Sequence, residues 1–336
     1  MIRANIHRRW RTHIYSLLLL PFIVACGNTT VSKPPPSPSL PAQLTTVPNT
    51  GPSGLPFYDP QGLCFDPQGN LYVADASSDQ GYYRLLKLSS DGHLLAEWHY
   101  FQRTFNGSAN GPIYVACDQH GNIYVDDASQ SRIIKLSSTG KFIAILGTPG
   151  QFEGVNVLTL DTAGNLYVAE YYQSRIEKFA PTGQLLTVIP LPQTSDSHQP
   201  TGPIGIAVDT RGTIYLADQR NSRILHLSAA GELLQVWGKE GSDPGQFNHP
   251  GVLALDSQGN FYVGDDNNYR IEKFSSQGKL LALWHLPQKN VVSFNTGPGP
   301  LAINAQDILY VSDTDANVTT WFILRYSLSG KLLSRI

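Results

Sequence analysis

The stretch that decides the fold runs from Gly212 to Gly238 and reads GTIYLADQRNSRILHLSAAGELLQVWG. A short run of β-forming residues ends in an acid, Asp218, and a polar turn leads to a second run that opens with Arg223. A glycine turn then precedes a third run, which ends at Trp237. Short apolar runs separated by Gly, Asn and Ser are typical of antiparallel strands joined by hairpins.

The same pattern occurs six times along the chain. A tyrosine in the first run marks each copy: Tyr72, Tyr124, Tyr167, Tyr215, Tyr262 and Tyr310. Three residues later stands an acid: Asp75, Asp127, Glu170, Asp218, Asp265 and Asp313. An arginine is assigned to the start of the next run in each copy: Arg84, Arg132, Arg175, Arg223, Arg270 and Arg325.

The period of the repeat predicts the architecture. The tyrosines are 52, 43, 48, 47 and 48 residues apart, and a period of about 40–50 residues with several short strands is typical of propellers. We therefore predict an all-β fold, a six-bladed β-propeller of four-stranded antiparallel blades over residues 57–336. The predicted blades cover about residues 57–101, 107–147, 148–190, 198–238, 239–287 and 291–336.

The composite motif resembles the NHL-repeat family. It combines Pro-x-Gly-Ile-Ala-Val-Asp, as at Pro203–Asp209, with Gly-Asn-x-Tyr-Val-Ala-Asp and x-x-Asn-x-Arg-Ile-x-Lys-Phe. Copies four and five match it best, and copies one and six diverge most. The resemblance implies a propeller, but for function it implies only a range: scaffolds, peptide and RNA binders, and a few lyases.

The N-terminus predicts an envelope address. Four arginines precede an apolar run of 12 residues at Ile14–Ala25, which is too short to span a membrane and suits a signal peptide. Ile23–Cys26 resembles a bacterial lipobox, so we expect removal of residues 1–25, lipidation of Cys26 and a location outside the cytoplasm. An ordinary signal peptide with an incidental cysteine is the alternative.

Residues 26–56 are predicted to be a Pro-rich tether, because proline has no N–H to donate to a sheet. Removal of residues 1–25, with their four arginines and no acid, would leave 20 basic and 26 acidic residues, a net charge of −6. Such a chain lacks the basic surface that phosphate binding needs, so we expect no nucleic-acid partner. A monomer is expected.

Two cysteines, Cys64 and Cys117, remain in the predicted propeller. They lie on the innermost strands of neighbouring copies. Because facing sheets pack about 10 Å apart, beyond the reach of a disulfide, we expect two buried free thiols.

The repeated acid and arginine are interpreted as scaffold, with the acids accepting N–H groups of the turns and the arginines bridging nearby. Departures from the repeat are more informative. The acid and the assigned arginine are five residues apart in copies two to five, but nine in copy one and twelve in copy six. The two longer loops predict a recognition rim with four aromatic residues, Tyr82, Tyr83, Trp321 and Phe322.

A second candidate site is the axial mouth, where the inner strands begin. Four residues are assigned to it: Asp59, Tyr114, Asn156 and His249. Motifs of nucleophilic or zinc-peptidase catalysis, such as Gly-x-Ser-x-Gly and His-Glu-x-x-His, do not occur in the sequence. No catalytic residue, metal ligand or cofactor is therefore assigned.

The predicted function is an envelope-anchored binding or scaffold propeller that presents loops to a protein, peptide or glycan. The alternative is a metal-dependent lyase or lactonase-like enzyme that uses calcium or zinc at the axial mouth. A purely structural spacer is a third possibility. It would tolerate substitutions along the rim.

Overall fold

The structure is a computed structural model and describes residues 57–77, 82–99, 114–127, 131–148, 151–152, 155–193, 200–286, 298–314 and 321–336. The side chains of residues 77, 82, 155 and 156 are not included. The predicted signal peptide, lipidation site Cys26 and tether all lie outside the described residues.

Four strands form each blade, in the order inner, second, third and outer. Blade 1 contains β1 (Pro60–Phe65), β2 (Leu71–Ser77), β3 (Tyr82–Leu88) and β4 (Leu94–Trp98). Blade 2 contains β5 (Val115–Cys117), β6 (Ile123–Asp127), β7 (Arg132–Leu136) and β8 (Phe142–Leu146). Blade 3 contains β9 (Val155–Leu160), β10 (Leu166–Glu170), β11 (Arg175–Phe179) and β12 (Leu185–Pro190).

The second half of the ring repeats this plan. Blade 4 contains β13 (Pro203–Val208), β14 (Ile214–Asp218), β15 (Arg223–Leu227) and β16 (Leu233–Trp237). Blade 5 contains β17 (Pro250–Leu255), β18 (Phe261–Asp265), β19 (Arg270–Phe274) and β20 (Leu280–His285). Blade 6 contains β21 (Leu301–Ile303), β22 (Ile308–Thr314), β23 (Trp321–Ser327) and β24 (Leu332–Arg335).

The six antiparallel sheets form a ring, which confirms the predicted six-bladed β-propeller. Each inner strand contacts the inner strands of both neighbouring blades, and β1 contacts β21 to close the ring. The second strands of blades 2 to 5 are buried along their whole length because each blade is covered on both faces. This explains why their sequences are almost entirely apolar.

Among the described residues, blade 6 takes all four of its strands from the C-terminal part of the chain, and the ring closes by contacts between blades 1 and 6. Blade 6 is completed by β24, and Ile336 exchanges two backbone hydrogen bonds with Ile323. An isolated bridge joins Phe57 to Trp321, and Phe57 belongs to the apolar cluster between blades 1 and 6. The sequence had left open how the ring closes.

A second contact repeats around the whole ring. The last apolar side chain at the end of each outer strand lies over the turn glycine of the next blade. The six pairs are Trp98–Gly140, Leu146–Gly183, Ile189–Gly231, Trp237–Gly278, Trp284–Gly330 and Ile336–Gly92. In five of them a Cβ atom on the glycine would collide with the side chain, whereas a Cβ on Gly183 would make an ordinary contact with Leu146 at 3.5 Å. All six glycines have a positive φ, which suits the turn and favours glycine.

Ion pairs between a buried acid and an arginine join the second and third strands of blades 1 to 5. In blade 4, Asp218 accepts hydrogen bonds from Arg223 Nε at 2.9 Å and from the backbone N–H of Gly202 at 3.0 Å. Both charged side chains are almost fully buried. The expectation that the acids accept N–H groups of the turns holds in part: Asp218 accepts from the Asn221 side-chain amide in the turn at 2.9 Å, whereas its backbone donor, Gly202, lies ahead of the inner strand.

Blade 6 departs from this pattern, and the assignment of Arg325 was wrong. Asp313 lies opposite Phe322, whereas Arg325 lies opposite Tyr310, where the other blades have lysine or histidine. The acid and its facing residue are therefore nine positions apart in blade 6, as Asp75 and Arg84 are in blade 1. Asp313 is buried without an arginine opposite it.

The expectation of free thiols was also wrong, because Cys64 and Cys117 form a disulfide. Their Cα atoms are 5.7 Å apart, well below the distance between facing sheets. The reason is geometric: blades diverge with distance from the axis, so neighbouring inner strands approach each other much more closely than outer strands do. The bond links blades 1 and 2 at the wall of the axial channel.

Helical structure in the described part of the chain consists of two single 3-10 turns, Gln219–Asn221 and Asp266–Asn268. Neither of these described helices has the length or apolar character needed to cross a bilayer.

Candidate functional site: the axial mouth

A cavity of about 160 Å³ opens where the inner strands begin, and we call it the axial mouth. Its lining comes mainly from blades 1, 5 and 6, with single residues from blades 2 and 4. The lining residues are Asp59, Pro60, Gln61, Tyr114, Ile204, Gly251, Val252, Asp266, Pro298, Gly299, Pro300 and Trp321. Apolar and aromatic groups with a few polar atoms are the usual lining of a small-ligand site.

Bulges at the start of the inner strands shape this lining. The pairing of β1 with β2 shifts between Pro60 and Gly62, and that of β13 with β14 shifts between Pro203 and Gly205. Each shift leaves one residue outside the ladder, and these residues, Gln61 and Ile204, line the mouth. A bulge turns the side chain of its extra residue to another direction, while the strand continues beyond it.

The mouth continues into an axial channel with a volume of about 290 Å³. All six inner strands line the channel, mostly with apolar side chains, and the Cys64–Cys117 disulfide is part of its wall. Four residues line both spaces, Gln61, Tyr114, Val252 and Pro300. The mouth and the channel therefore meet at the level of these residues.

Tyr114 was assigned to the mouth from the sequence, and it lies there. Its backbone N–H donates to Asp126 Oδ1 at 3.1 Å, and its C=O accepts from the Asp126 N–H at 3.1 Å. Burial, followed by the carboxylates of Asp126 and Asp266, raises the pKa of Tyr114. The phenol therefore stays protonated at neutral pH and can donate a hydrogen bond or offer its ring face.

Asp266 is the carboxylate that the sequence analysis missed. It follows the repeated acid Asp265, and its oxygens lie 2.7 and 2.8 Å from the position of a Cβ atom on Gly251. The residue is partly exposed, but its Oδ1 is buried and has no hydrogen-bond partner among the described residues. Burial and the neighbouring Asp265 raise its pKa well above the usual range.

Asp59 also lines the mouth, as predicted, and its backbone N–H donates to Asp75 Oδ1 at 2.9 Å. His249 lies beside the mouth and not in its lining; its imidazole is exposed, and its backbone has a φ of 58°. The Asn267 amide lies 2.6 Å from His249 Nδ1. The predicted Asn156 belongs to β9, but its side chain is outside the described residues.

The structure disperses the aromatic residues of the predicted rim. Tyr83 and Phe322 are each 7% exposed and pack inside the blades. Trp321 is partly exposed and lines the axial mouth, and the side chain of Tyr82 is not described. The described residues therefore do not form an exposed aromatic patch at this position.

A cation–π pair that the sequence analysis did not single out lies on the same face. The guanidinium of Arg220 is 4.1 Å from the centre of the Tyr171 ring, and both side chains cover Gly202. The adjacent Tyr172 is 72% exposed. These residues follow the repeated acids in blades 3 and 4, so the repeat itself could have indicated their location.

Potential metal ligands are sparse in the described part of the chain. No group of three or more His, Cys, Asp and Glu side chains there could hold a metal ion. Asp59 and Asp266 both line the mouth, but the nearby His249 is directed to its own asparagine neighbours.

The fold and this site define a six-bladed β-propeller with a small cavity at one end of its axis. Comparison with protein families agrees: the NHL-repeat model matches residues 57–80. The match covers the first half of copy one, which contains β1 and β2.

Solved structures show the same fold at low sequence identity. A streptogramin B lyase is 15% identical, with a TM-score of 0.58 over 87% of this chain and 86% of that one. A catalytically inactive histidine-to-alanine variant of virginiamycin B lyase from Staphylococcus aureus, with quinupristin, is 14% identical, with a TM-score of 0.58 over 87% of both chains. A chain of a nidogen/laminin complex is 20% identical, with a TM-score of 0.51 over 68% of this chain and 80% of that one.

Proposed function

We propose that this protein is a binding protein of the bacterial cell envelope, anchored through Cys26, that takes a peptide or glycan ligand at the axial mouth. The observation that carries the proposal is the mouth itself. It is concave, lined mainly by apolar and aromatic side chains, and it contains a buried carboxylate oxygen without a partner among the described residues. A site with these properties suits recognition of a small group on a larger ligand.

The proposed address is supported by two independent features. The first is the N-terminal sequence, with its basic segment, short apolar run and lipobox. The second is the Cys64–Cys117 disulfide, since such bonds persist in oxidising compartments outside the cytoplasm. Labelling with a radioactive fatty acid tests the anchor: a Cys26→Ala variant should take up no label.

A retention experiment tests ligand binding. A tryptic digest of envelope proteins and a muramidase digest of the cell wall are passed over immobilised protein, and retained species are identified by mass spectrometry. A Gln61→Trp variant fills the mouth, whereas Gln258→Trp makes the same change at an exposed turn on the opposite face. The wild type and Gln258→Trp should retain the same species, and Gln61→Trp should lose them. Identical retention by all three proteins would contradict the proposal.

A metal-dependent lyase or lactonase is the second candidate. It is favoured by the exposed imidazole of His249 next to the mouth and by the likeness in fold to a lyase in which one histidine-to-alanine change abolishes catalysis. The purified protein should then contain stoichiometric calcium or zinc, and the metal should be lost from His249→Ala or Asp59→Ala variants. If the metal-free protein still binds its ligand, the lyase or lactonase candidate is excluded and the binding proposal is retained.

A further inference from the structure

Asp266 occupies a position at which blade 5 differs from every other blade. The residue after the repeated acid is Asp266 in blade 5, whereas the other copies have Ala76, Ala128, Tyr171, Gln219 and Thr314. The carboxylate lies over Gly251, whose missing side chain leaves the space that the two oxygens occupy. The result is a carboxylate held at the wall of the axial mouth.

The two neighbouring acids of blade 5 have opposite surroundings. Asp265 accepts hydrogen bonds from Arg270 Nε at 2.8 Å, Asn268 Nδ2 at 2.7 Å and the Asn248 N–H at 2.7 Å. Its charge is therefore neutralised within the blade. Among the described residues, no arginine or lysine lies beside Asp266, and Asp265 is the charged group that acts on it most strongly. A carboxylate with a buried oxygen and no counter-charge is costly in free energy, and a cationic ligand would lower that cost.

The rest of the lining offers no positive charge of its own. The described residues around the mouth include the acids Asp59 and Asp266 but no lysine or arginine. Two aromatic side chains, Tyr114 and Trp321, complete the lining. Aromatic faces attract cations through the ring quadrupole, and tryptophan and tyrosine do so more strongly than phenylalanine. The mouth therefore combines a carboxylate with two aromatic rings.

The size of the mouth limits what can enter. A volume of about 160 Å³ accommodates the end of a side chain or a chain terminus, and not a whole oligosaccharide or folded protein. The apolar residues Ile204, Val252 and Pro300 line the same space and suit an alkyl chain.

We propose that the axial mouth binds the alkylammonium group of a peptide ligand, with Asp266 as its counter-ion and Tyr114 and Trp321 as its aromatic walls. This inference rests on the proposed binding function and specifies the ligand chemistry at the same site. Lysine side chains and peptide N-termini both present this group, and the test separates them.

Calorimetric titration with small probes provides the test. N-acetyl-lysine N-methylamide presents a side-chain ammonium, norleucine N-methylamide presents an α-ammonium, and N-acetyl-norleucine N-methylamide is the uncharged control. At least one cationic probe should bind the wild type with a Kd at least tenfold below that of the neutral probe. The better cationic probe identifies the source of the ammonium group.

Variants then assign the effect to Asp266. Asp266→Asn should weaken binding of the cationic probe at least tenfold, whereas Asp243→Asn, the same change at an exposed acid of the segment before blade 5, should leave it unchanged. Gln61→Lys provides a second route, since a tethered ammonium in the mouth should compete with the probe. Gln258→Lys on the opposite face is its control.

The pH dependence gives an independent readout. Burial raises the pKa of Asp266 well above 3.8, and only the ionised carboxylate pairs with an ammonium, so affinity should still increase with pH where an ordinary aspartate is already ionised. Asp265, Asp59, Tyr114 and His249 also face this region. Asp265 is paired with Arg270, burial keeps Tyr114 protonated at neutral pH, and the Asp266→Asn variant retains Asp59 and His249 and so separates their contribution. The Asp266→Asn variant should lose most of the increase.

Equal binding of the cationic and neutral probes, or unchanged binding by both Asp266→Asn and Gln61→Lys, would overturn the inference. Different outcomes would contradict the proposed binding function and the ammonium inference. If Gln61→Trp loses the retained envelope species while Asp266→Asn keeps them, the mouth binds a ligand but not through an ammonium group. If Gln61→Trp loses nothing, the mouth is not the binding site.

Discussion

The side chain of Ile336, the last residue of the chain, lies over Gly92 in the first blade, where an added Cβ would be 2.8 Å from Ile336 Cγ2. Five other pairs of an outer-strand side chain and a turn glycine surround the axis, and this one completes the ring. The propeller therefore closes with the same kind of contact between blades 6 and 1 that joins consecutive blades.

Truncation of Ile336 should weaken this closure. Ile336→Ala removes methyl groups that pack on Gly92 and should lower the free energy of unfolding by about 1–2 kcal/mol, less than for a fully buried isoleucine because the residue is partly exposed. Leu333→Ala, at a neighbouring side chain that is 47% exposed, is the control and should change it by less than about 0.5 kcal/mol. Urea unfolding measures the free energy of both variants. Equal changes for Ile336→Ala and Leu333→Ala would contradict the role of Ile336 in closing the ring.

Alanine substitutions at two glycines of blade 5 distinguish the cost of backbone strain from the cost of a steric collision. Gly259 and Gly278 both have a φ of 78°, but a Cβ on Gly259 would meet nothing within 4 Å, whereas one on Gly278 would lie 2.2 Å from Trp237 Nε1. Gly259→Ala should destabilise by about 1 kcal/mol through its positive φ. Gly278→Ala should add about 1–3 kcal/mol of overpacking. Thermal unfolding of both variants measures the difference. If their melting temperatures were the same, Trp237 would not pack on Gly278 as described.

Reduction of the Cys64–Cys117 disulfide should destabilise the propeller. The bond joins residues 53 positions apart, and the loss of chain entropy in the unfolded state predicts a contribution of about 4 kcal/mol. The urea midpoint should therefore fall when a phosphine reductant is added. A Cys64→Ala/Cys117→Ala double variant is the control and should not respond. Two titratable thiols in the untreated, denatured protein would show that the bond is absent.

Asp313 should make stability depend on pH. Burial raises its pKa from 3.8 to about 6, so the folded state binds the proton more tightly than the unfolded state. The contribution of Asp313 to stability is then complete below pH 3.8 and is lost as pH rises through 6. Above that pH, Asp313→Asn should stabilise the protein by about 1–3 kcal/mol, and the gain should shrink toward pH 4.

The paired acid of blade 4 gives the contrasting result. Asp218→Asn should destabilise at neutral pH because it leaves Arg223 buried without its carboxylate. Chemical unfolding at several pH values compares the two variants. Destabilisation by Asp313→Asn at pH 8 would show that Asp313 has a charged partner that its described surroundings do not include.

The sequence predicted the blades well because their signals are local. The tyrosine, the acid and the turn glycine recur at nearly constant spacing, and each has a direct structural cause in burial, hydrogen bonding or a positive φ. The register of blade 6 was harder, because matching by residue type paired Asp313 with Arg325. Counting nine residues from the acid, as from Asp75 to Arg84 in blade 1, would have found Phe322.

The candidate site was only partly predictable, because it depends on how the blades converge. Asp59 was assigned to the mouth from its position before an inner strand and Tyr114 from a position just inside one, and both line it. Trp321 reaches the mouth from a third strand, which its place in the repeat did not indicate. The same convergence brings Cys64 and Cys117 within bonding distance, whereas a sheet-to-sheet spacing of about 10 Å would have kept them apart.

The disulfide between the first two blades also has a mechanical consequence. A chain pulled from its N-terminal side would normally begin to unravel at its first blade. Here the segment between Cys64 and Cys117, which are 53 positions apart, cannot extend, and this removes about 190 Å from the extensible length of the chain at ~3.5 Å per residue. Under tension, the force passes directly from the inner strand of blade 1 to that of blade 2, so the second, third and outer strands of blade 1 are shielded from the load.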